Sequence, residues 1–120
     1  IKGIHHVQLA MPEGRELEAV AFYNGVLGIP RAPKPPNLAA RGGVWFERGD
    51  LRIHLGVEAD FRPARKAHPA LIADDLSRLR KRLEGAGIEV VVDEPRVGFD
   101  RFYVNDPFGN RIEFLAPVSI

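Results

Sequence analysis

The sequence predicts an α+β fold in which two tandem βαβββ modules form a curved mixed sheet cleft with the helices outside. Internal repetition is the main support for this prediction. The segments 52–55 and 111–114 read Arg-Ile-His-Leu and Arg-Ile-Glu-Phe. A Gly-Ile pair at 28–29 and again at 87–88 stands the same 26 residues upstream of the third residue in each segment (54 − 28 and 113 − 87). A histidine also opens the first apolar strand pattern of each half, which indicates a duplicated unit.

The modules are predicted to cover residues 1–58 and 66–118 of one domain, 1–120. A chain of 120 residues is the length of a single domain, and its 45% hydrophobic content is sufficient for a core. The chain contains no cysteine. Any metal site must therefore use histidine, carboxylate or water as ligands.

Charge and hydropathy exclude several classes of partner. The net charge is +1, and the densest basic run, at 78–82, falls on a predicted helix, where it forms a solvated face. No apolar run approaches the roughly 20 residues that a membrane span needs, and the N-terminus shows no signal-peptide pattern. We therefore expect a cytoplasmic protein that binds neither nucleic acid nor membranes.

Alternation, prolines and turn residues define the elements of the first module. A strand, a helix, a proline-rich edge strand or loop and two further strands are predicted at 3–11, 15–27, 30–36, 43–48 and 51–57. Gly28 follows the helix as its C-terminal stop. The turn Arg48-Gly49-Asp50 joins the last two strands as a hairpin.

The second module repeats this order. The predicted strands lie at 67–73, 88–93, 100–105 and 111–116. The helix begins after Asp74 or Asp75 as N-cap and ends near 85–87. The last two strands are joined by Asp-Pro-Phe-Gly-Asn at 106–110, a turn sequence.

Strand parity sorts the polar residues onto one face, because successive side chains point to opposite sides of a sheet. The face away from the helices is predicted to carry His6, Gln8, Arg52, His54, His68, Arg101, Tyr103, Arg111 and Glu113. Each of these, taken alone, is more often solvated than functional. Equivalent positions of the two halves, however, supply His6 with His68 and His54 with Glu113, so a pseudo-twofold axis would bring these four together. His5 has the opposite parity and is assigned a structural role.

Imidazole and carboxylate suit a divalent ion such as Fe²⁺, Zn²⁺, Mn²⁺ or Ni²⁺, and three protein ligands leave positions open for a substrate. The sequence therefore predicts one divalent metal per site.

The chain resembles the vicinal oxygen chelate superfamily, which includes glyoxalase I, extradiol dioxygenases, fosfomycin-resistance thiol transferases and bleomycin-resistance proteins. The resemblance rests on the segments 4–9, 67–71 and 102–113, and it covers nearly the whole chain. It implies that the metal ligands are His6, His68 and Glu113. It also implies a small-molecule substrate and a homodimer.

The resemblance further implies catalytic roles for His54 and Tyr103. His54 stands where glyoxalase I has an additional glutamate and where extradiol enzymes have a catalytic histidine, so it is either a fourth ligand or a base. Fosfomycin resistance is not expected, since Gln8 replaces the threonine of those enzymes. The residues expected to contact substrate are Gln8, Trp45, Arg52, Arg101 and Arg111.

Two functions from different classes follow. The leading one is a metal-dependent enzyme of glyoxalase or dioxygenase type that acts on a small molecule with vicinal oxygens. The alternative is a metal-free binding protein of the bleomycin-resistance type. A relic site or a regulatory module is a third option.

Overall fold

The computed structural model describes residues 1–118 and divides the chain into two compact units, Ile1–Ala64 and a second that begins at Arg65. Unit 1 contains a four-stranded sheet and unit 2 a three-stranded sheet, and each sheet is accompanied by a helix. These two sheets confirm the predicted α+β class with tandem modules. None of the helices within residues 1–118 has the length and apolar character that crossing a membrane requires.

The first and last strands of unit 1 are parallel neighbours, which makes its sheet mixed. Its elements are β1 (Val7–Met11), α1 (Glu16–Ala19), β2 (Arg31–Ala32), β3 (Val44–Arg48) and β4 (Leu51–Val57). Helix α1 continues as a π-helix over Val20–Val26, and a short 3₁₀ turn covers Ala39–Arg41. The strand order is β1-β4-β3-β2, with β1 and β4 parallel and the other pairs antiparallel.

The core of unit 1 lies on the sheet face that carries the odd-numbered residues of β4. Ile53 and Leu55 are buried there, together with Phe46 of β3 and Tyr23 of the π-helix. The rings of Tyr23 and Phe46 stack with their centroids 5.2 Å apart. Because side chains alternate along a strand, this packing directs the even-numbered residues of β4 to the opposite face.

Unit 2 repeats the parallel first and last strands of unit 1. Its elements are β5 (Ala70–Ile72), α2 (Leu76–Gly85), β6 (Phe99–Asn105) and β7 (Arg111–Pro117). The order is β5-β7-β6, with β5 and β7 parallel and β6 and β7 antiparallel. Asp75 is the N-cap of α2, since its Oδ1 accepts from the Arg78 N–H at 3.0 Å. Leu83 of α2 is fully buried, as is Ile112 of β7.

The strand predicted at 88–93 is reduced to a single bridge. Val91 and Tyr103 exchange two backbone hydrogen bonds of 2.8 Å, and no longer strand forms in this segment of the described chain. Val92 is 63% exposed, and Pro95, which lacks an N–H, follows shortly after. β-branched residues favour a strand only where one face packs, and that packing is missing here.

A buried carboxylate closes the turn between β6 and β7. Oδ1 of Asp106 accepts from the N–H groups of Phe108 and Asn110, both at 2.9 Å, and Oδ2 accepts from Nδ2 of Asn110 at 3.0 Å. Asn110 is only 1% exposed. This closed turn sets the register of the hairpin, which pairs Tyr103 with Glu113.

Gly43 is required where the chain enters β3. Its φ is +81°, and a Cβ placed on it would lie 2.2 Å from the carbonyl oxygen of Leu55 on β4. Gly14 has a nearly identical φ of +79°, but a Cβ there would meet nothing within 4 Å. We expect Gly43→Ala to lower the free energy of unfolding by about 2 kcal/mol more than Gly14→Ala, measured by urea denaturation.

The two variants form a matched pair, because each pays the same left-handed backbone penalty of about 1 kcal/mol. Only Gly43→Ala adds a collision with backbone atoms. Equal losses of stability in the two variants would show that β3 does not need this close approach to β4.

Candidate functional site

In unit 1, the strand register sets three polar or aromatic residues side by side. His54 on β4 is the Cα partner of Gln8 on β1 and of Trp45 on β3. All three have the parity that points away from the buried face of the sheet. Neighbouring strands are about 5 Å apart, so side chains in one such row touch.

The imidazole of His54 is the centre of a stack of rings. The Trp45 ring lies parallel to it, with a centroid distance of 4.0 Å and an interplanar angle of 3°. His6, the residue before β1, stacks on His54 at 4.3 Å with an angle of 21°. Nδ1 of His6 also lies 3.0 Å from Nδ1 of His5, so one of these two nitrogens donates to the other. The structure thus brings the predicted residues His6, His54 and Trp45 together.

A glutamate holds the buried His54. Nε2 of His54 lies 2.7 Å from Oε2 of Glu47, and His54 is only 3% exposed. A carboxylate can only accept, so Nε2–H donates and Nδ1 is left as the basic nitrogen. Burial lowers the pKa of His54 below its ordinary value of 6.5, and the nearby His6 acts in the same direction, while the hydrogen bond to Glu47 opposes them.

In unit 2, the register forms a second row at the equivalent positions. Glu113 on β7 is the Cα partner of Ala70 on β5 and of Tyr103 on β6. His68 stands two residues before Ala70, as His6 stands two residues before Gln8. Glu113 and Tyr103 are both buried, at 5% and 7% exposed. The duplication read from the sequence therefore reappears as the same pairing in both sheets.

His68 faces the carboxylate of Glu113. Nε2 of His68 lies 2.9 Å from Oε1 of Glu113, while Nδ1 lies 2.7 Å from the carbonyl oxygen of Lys66. A carbonyl oxygen accepts, so Nδ1 carries a proton and neutral His68 presents a bare Nε2. Two acceptors then face each other unless a proton or a cation lies between them. An imidazole nitrogen and a carboxylate oxygen are both common metal ligands, and metal-binding imidazoles are often oriented by a backbone carbonyl, as His68 is here.

Two arginines surround Tyr103. Nη1 of Arg101 donates to the Tyr103 hydroxyl at 2.5 Å and lies 3.7 Å from Oε1 of Glu113. The guanidinium of Arg111 lies 4.5 Å from the centroid of the Tyr103 ring. The His68 ring meets the same ring edge-on at 5.3 Å. Tyr103 is therefore held by cations, and its hydroxyl keeps its own proton available for donation.

The ten site residues predicted from the sequence fall into one set in each unit. Unit 1 holds His6, Gln8, Trp45, Arg52 and His54. Unit 2 holds His68, Arg101, Tyr103, Arg111 and Glu113. Within neither unit, as far as residues 1–118 describe them, do three His, Asp or Glu side chains gather closely enough to hold a metal by themselves.

Arg52 has a structural partner in addition to its predicted role. Its Nη1 donates to the carbonyl oxygen of His5 at 3.1 Å, so it ties the segment before β1 to β4. Sequence reasoning missed Glu47 as the partner of His54 and the Lys66 carbonyl as the partner of His68. The strand parity that Glu47 shares with Trp45 was a usable signal. The contact between His68 and the Lys66 carbonyl had no such signal, because the order of side chains does not show where a backbone carbonyl points.

We expect His54 in metal-free protein to titrate below pH 6.5. The chemical shifts of its ring protons, measured by NMR as a function of pH, check this. Because the unfolded chain binds this proton more readily, the stability that neutral His54 contributes is complete above about pH 6.5. It is lost as the pH falls from there toward the pKa of the folded state, by at most about 1.4 kcal/mol per pH unit.

Glu47→Gln is the matched variant, since Glu47 is the group that raises the pKa of His54. The variant should move this pKa further down. A pKa that rises in Glu47→Gln, or a wild-type value above 6.5, would contradict the assigned cause.

Comparisons with known proteins identify the family of this chain. A family model described as the Glyoxalase/Bleomycin resistance protein/Dioxygenase superfamily matches residues 3–114. The crystal structure of a protein from Bacillus anthracis assigned to the glyoxalase family is 49% identical, with a TM-score of 0.94. That match covers 98% of this chain and 97% of the other.

More distant structures share the fold. A genomically encoded fosfomycin resistance protein from Listeria monocytogenes is 17% identical, with a TM-score of 0.76, over 98% of this chain and 95% of its own. A lactoylglutathione lyase from Agrobacterium tumefaciens is 24% identical, with a TM-score of 0.72, over 97% and 94%. Among curated proteins, none matches the sequence. The chain belongs to the Glyoxalase/Bleomycin resistance protein/Dioxygenase superfamily.

Proposed function

We propose that this chain is a metal-dependent enzyme that acts on a small molecule with two adjacent oxygen atoms. The metal ligands would be His6, His68 and Glu113. The observation that carries the proposal is the close approach of two possible metal ligands in unit 2, where Nε2 of His68 lies 2.9 Å from Oε1 of Glu113 while Nδ1 is turned to the Lys66 carbonyl. A divalent cation would satisfy both atoms.

The ligand chemistry agrees with this proposal. Two imidazoles and a carboxylate are ligands of Fe²⁺, Zn²⁺, Mn²⁺ and Ni²⁺, and a chain without cysteine offers no thiolate alternative. A bound ion would act as a Lewis acid toward the vicinal oxygens of the substrate. We infer one ion per site, in a homodimer such as the family resemblance implies.

His54 is proposed as the general base. Glu47 accepts from Nε2–H, which leaves Nδ1 to take a proton and places a carboxylate where it stabilises the imidazolium that forms. The lowered pKa keeps His54 neutral, and therefore able to accept a proton, at neutral pH.

Tyr103 is proposed as the hydrogen-bond donor to substrate or as general acid. Its hydroxyl oxygen accepts from Arg101, so its own proton is available to a substrate oxygen. Gln8, Trp45, Arg52, Arg101 and Arg111 complete the residues proposed to contact the substrate. For Arg52 and Arg101 this role is shared with the backbone contacts that hold them.

The proposal is tested by elemental analysis joined to an activity screen. We expect the protein, loaded anaerobically with Fe²⁺, Zn²⁺, Mn²⁺ or Ni²⁺, to retain one ion per chain. Activity should then appear with one metal on substrates that carry vicinal oxygens, such as hemithioacetals or catechols. Glu113→Gln should weaken metal binding by more than about 100-fold, since changes outside the ligand shell already cost about 10–100-fold.

Two matched controls accompany this experiment. Glu89→Gln removes an exposed carboxylate from unit 2 and should leave metal binding unchanged. His6→Gln should abolish the site, whereas His5→Gln should not. Saturable binding of a small molecule by protein that takes up no metal would instead support a binding protein of the bleomycin-resistance type.

Metal retention should also depend on pH. Imidazole ligands must be deprotonated to bind, so we expect the ion to be lost on dialysis as the pH falls below about 6.5. Metal content measured after dialysis at pH 5 and at pH 7.5 checks this. A full complement of metal at pH 5 would exclude a site built on two histidines.

A further inference from the structure

The bridge between Val91 and β6 extends the row of site residues in unit 2 by one member. Val91 and Tyr103 exchange two backbone hydrogen bonds of 2.8 Å, so they form a directly opposed pair. The side chains of such a pair lie on the same face of a sheet. Because Tyr103 is also the partner of Glu113, the row runs from Glu113 through Tyr103 to Val91. Val91 therefore lies on the face of the candidate site, and the proposed chemistry gives it no role.

The row of unit 1 is extended in the same way. Ala32 on β2 is the Cα partner of Trp45, which is itself the partner of His54. In the two rows, Ala32 thus has the place beside Trp45 that Val91 has beside Tyr103. Both copies end the row on an aliphatic side chain. The bridge at Val91 is therefore a feature of the repeated unit and not an isolated contact.

Val91 presents apolar surface at the border of a polar cluster. It is 44% exposed, whereas Tyr103 and Glu113 are buried. Exposure alone does not distinguish it, because Val92 is 63% exposed and single exposed apolar residues are common on proteins. Its position does. Successive side chains of an extended segment point to opposite sides, so Val92 is directed away from the face that Val91 shares with Tyr103.

Two tethers fix Val91 relative to the Tyr103 hydroxyl. The first is the pair of backbone hydrogen bonds between the two residues. The second is Arg101, whose Nε and Nη2 donate to the carbonyl oxygen of Glu94 at 3.1 and 2.6 Å. Glu94 follows Val91 by three residues, and the same guanidinium donates to the Tyr103 hydroxyl. The apolar group and the hydroxyl are therefore positioned before a ligand binds, which lowers the entropic cost of binding.

Tyr103 separates Val91 from the carboxylate. Glu113 and His68 lie on one side of Tyr103 along the row, and Val91 lies on the other. Neighbouring strands are about 4.8 Å apart, so the backbones of Glu113 and Val91 are about 10 Å apart. Two carbons that carry two oxygens do not span this distance. A substrate held at Glu113 and Tyr103 reaches Val91 only through a further substituent.

We propose that Val91 is a specificity-determining residue, and that the substrate carries an apolar substituent which packs against it. An isopropyl group offers no hydrogen bond, so a polar substituent at this place would lose hydration without gaining a partner. The inference rests on the proposed function and deepens it. The substrate has two adjacent oxygens at the polar end of the row and a hydrocarbon group, such as a phenyl ring, at the other end.

NMR of the valine methyl groups tests this in chelator-treated protein, where neither metal nor turnover is needed. The probe is 1-phenyl-1,2-ethanediol, which has two adjacent oxygens and a phenyl group. We expect it to shift the methyl signals of Val91 saturably and to leave those of Val92 unchanged. Ethylene glycol, which has the two oxygens without the phenyl group, should bind at least about tenfold more weakly.

Val91→Thr and Val92→Thr are a matched pair, and each assigns the methyl signals that it lacks. Threonine keeps the shape and the strand preference of valine but replaces one methyl group with a hydroxyl, so both variants should keep the urea midpoint of the wild type. Val91→Thr should weaken binding of the phenyl diol by about fivefold. Val92→Thr should change it by less than about twofold.

Equal losses in the two variants would overturn the role of Val91. So would equal shifts of both sets of methyl signals, unchanged affinity in Val91→Thr, or no binding of the phenyl diol. The metal site fails separately. Protein that takes up no metal but shows the shift at Val91 contradicts the proposed enzyme and keeps Val91 as a ligand contact. Full metal uptake with undisturbed Val91 signals keeps the enzyme and rejects this class of substrate.

Discussion

The pairing of β4 with a strand on each side is the constraint on which unit 1 depends. It sets Gln8, His54 and Trp45 in one row across three strands. Because neighbouring strands are only about 5 Å apart, the rings of this row stack rather than point separately into solvent. Gly43 and Gly56 leave room for this approach, since a Cβ on either would collide with Leu55 or with Gln8.

Duplication gives unit 2 the same pairing but different chemistry. Glu113 stands where unit 1 has His54, and Tyr103 stands where it has Trp45. A carboxylate in this place attracts His68 and Arg101, whereas an imidazole attracts other rings and Glu47. One backbone arrangement therefore supports a ring stack in the first copy and a charged cluster in the second.

Backbone carbonyls orient much of the polar chemistry. The carbonyl of Lys66 fixes the tautomer of His68, the carbonyl of His5 anchors Arg52, and the carbonyl of Glu94 anchors Arg101. Each contact reduces the rotamer freedom of a side chain and fixes the direction in which its polar atoms point.

The sequence by itself determined the fold class and which residues share a strand face. Parity and the internal repeat can both be read along the chain. They therefore placed His54 on the same predicted face as Gln8, and Glu113 on the same predicted face as Tyr103, before any contact was known. The same reasoning failed at 88–93, where the β-branched residues form only one bridge and Val92 is largely exposed. Only the tertiary structure decided that Glu47 would hold His54 and that the Lys66 carbonyl would orient His68. These contacts join residues on different strands and loops, and their distances depend on packing and register, which a periodic pattern along the chain does not encode.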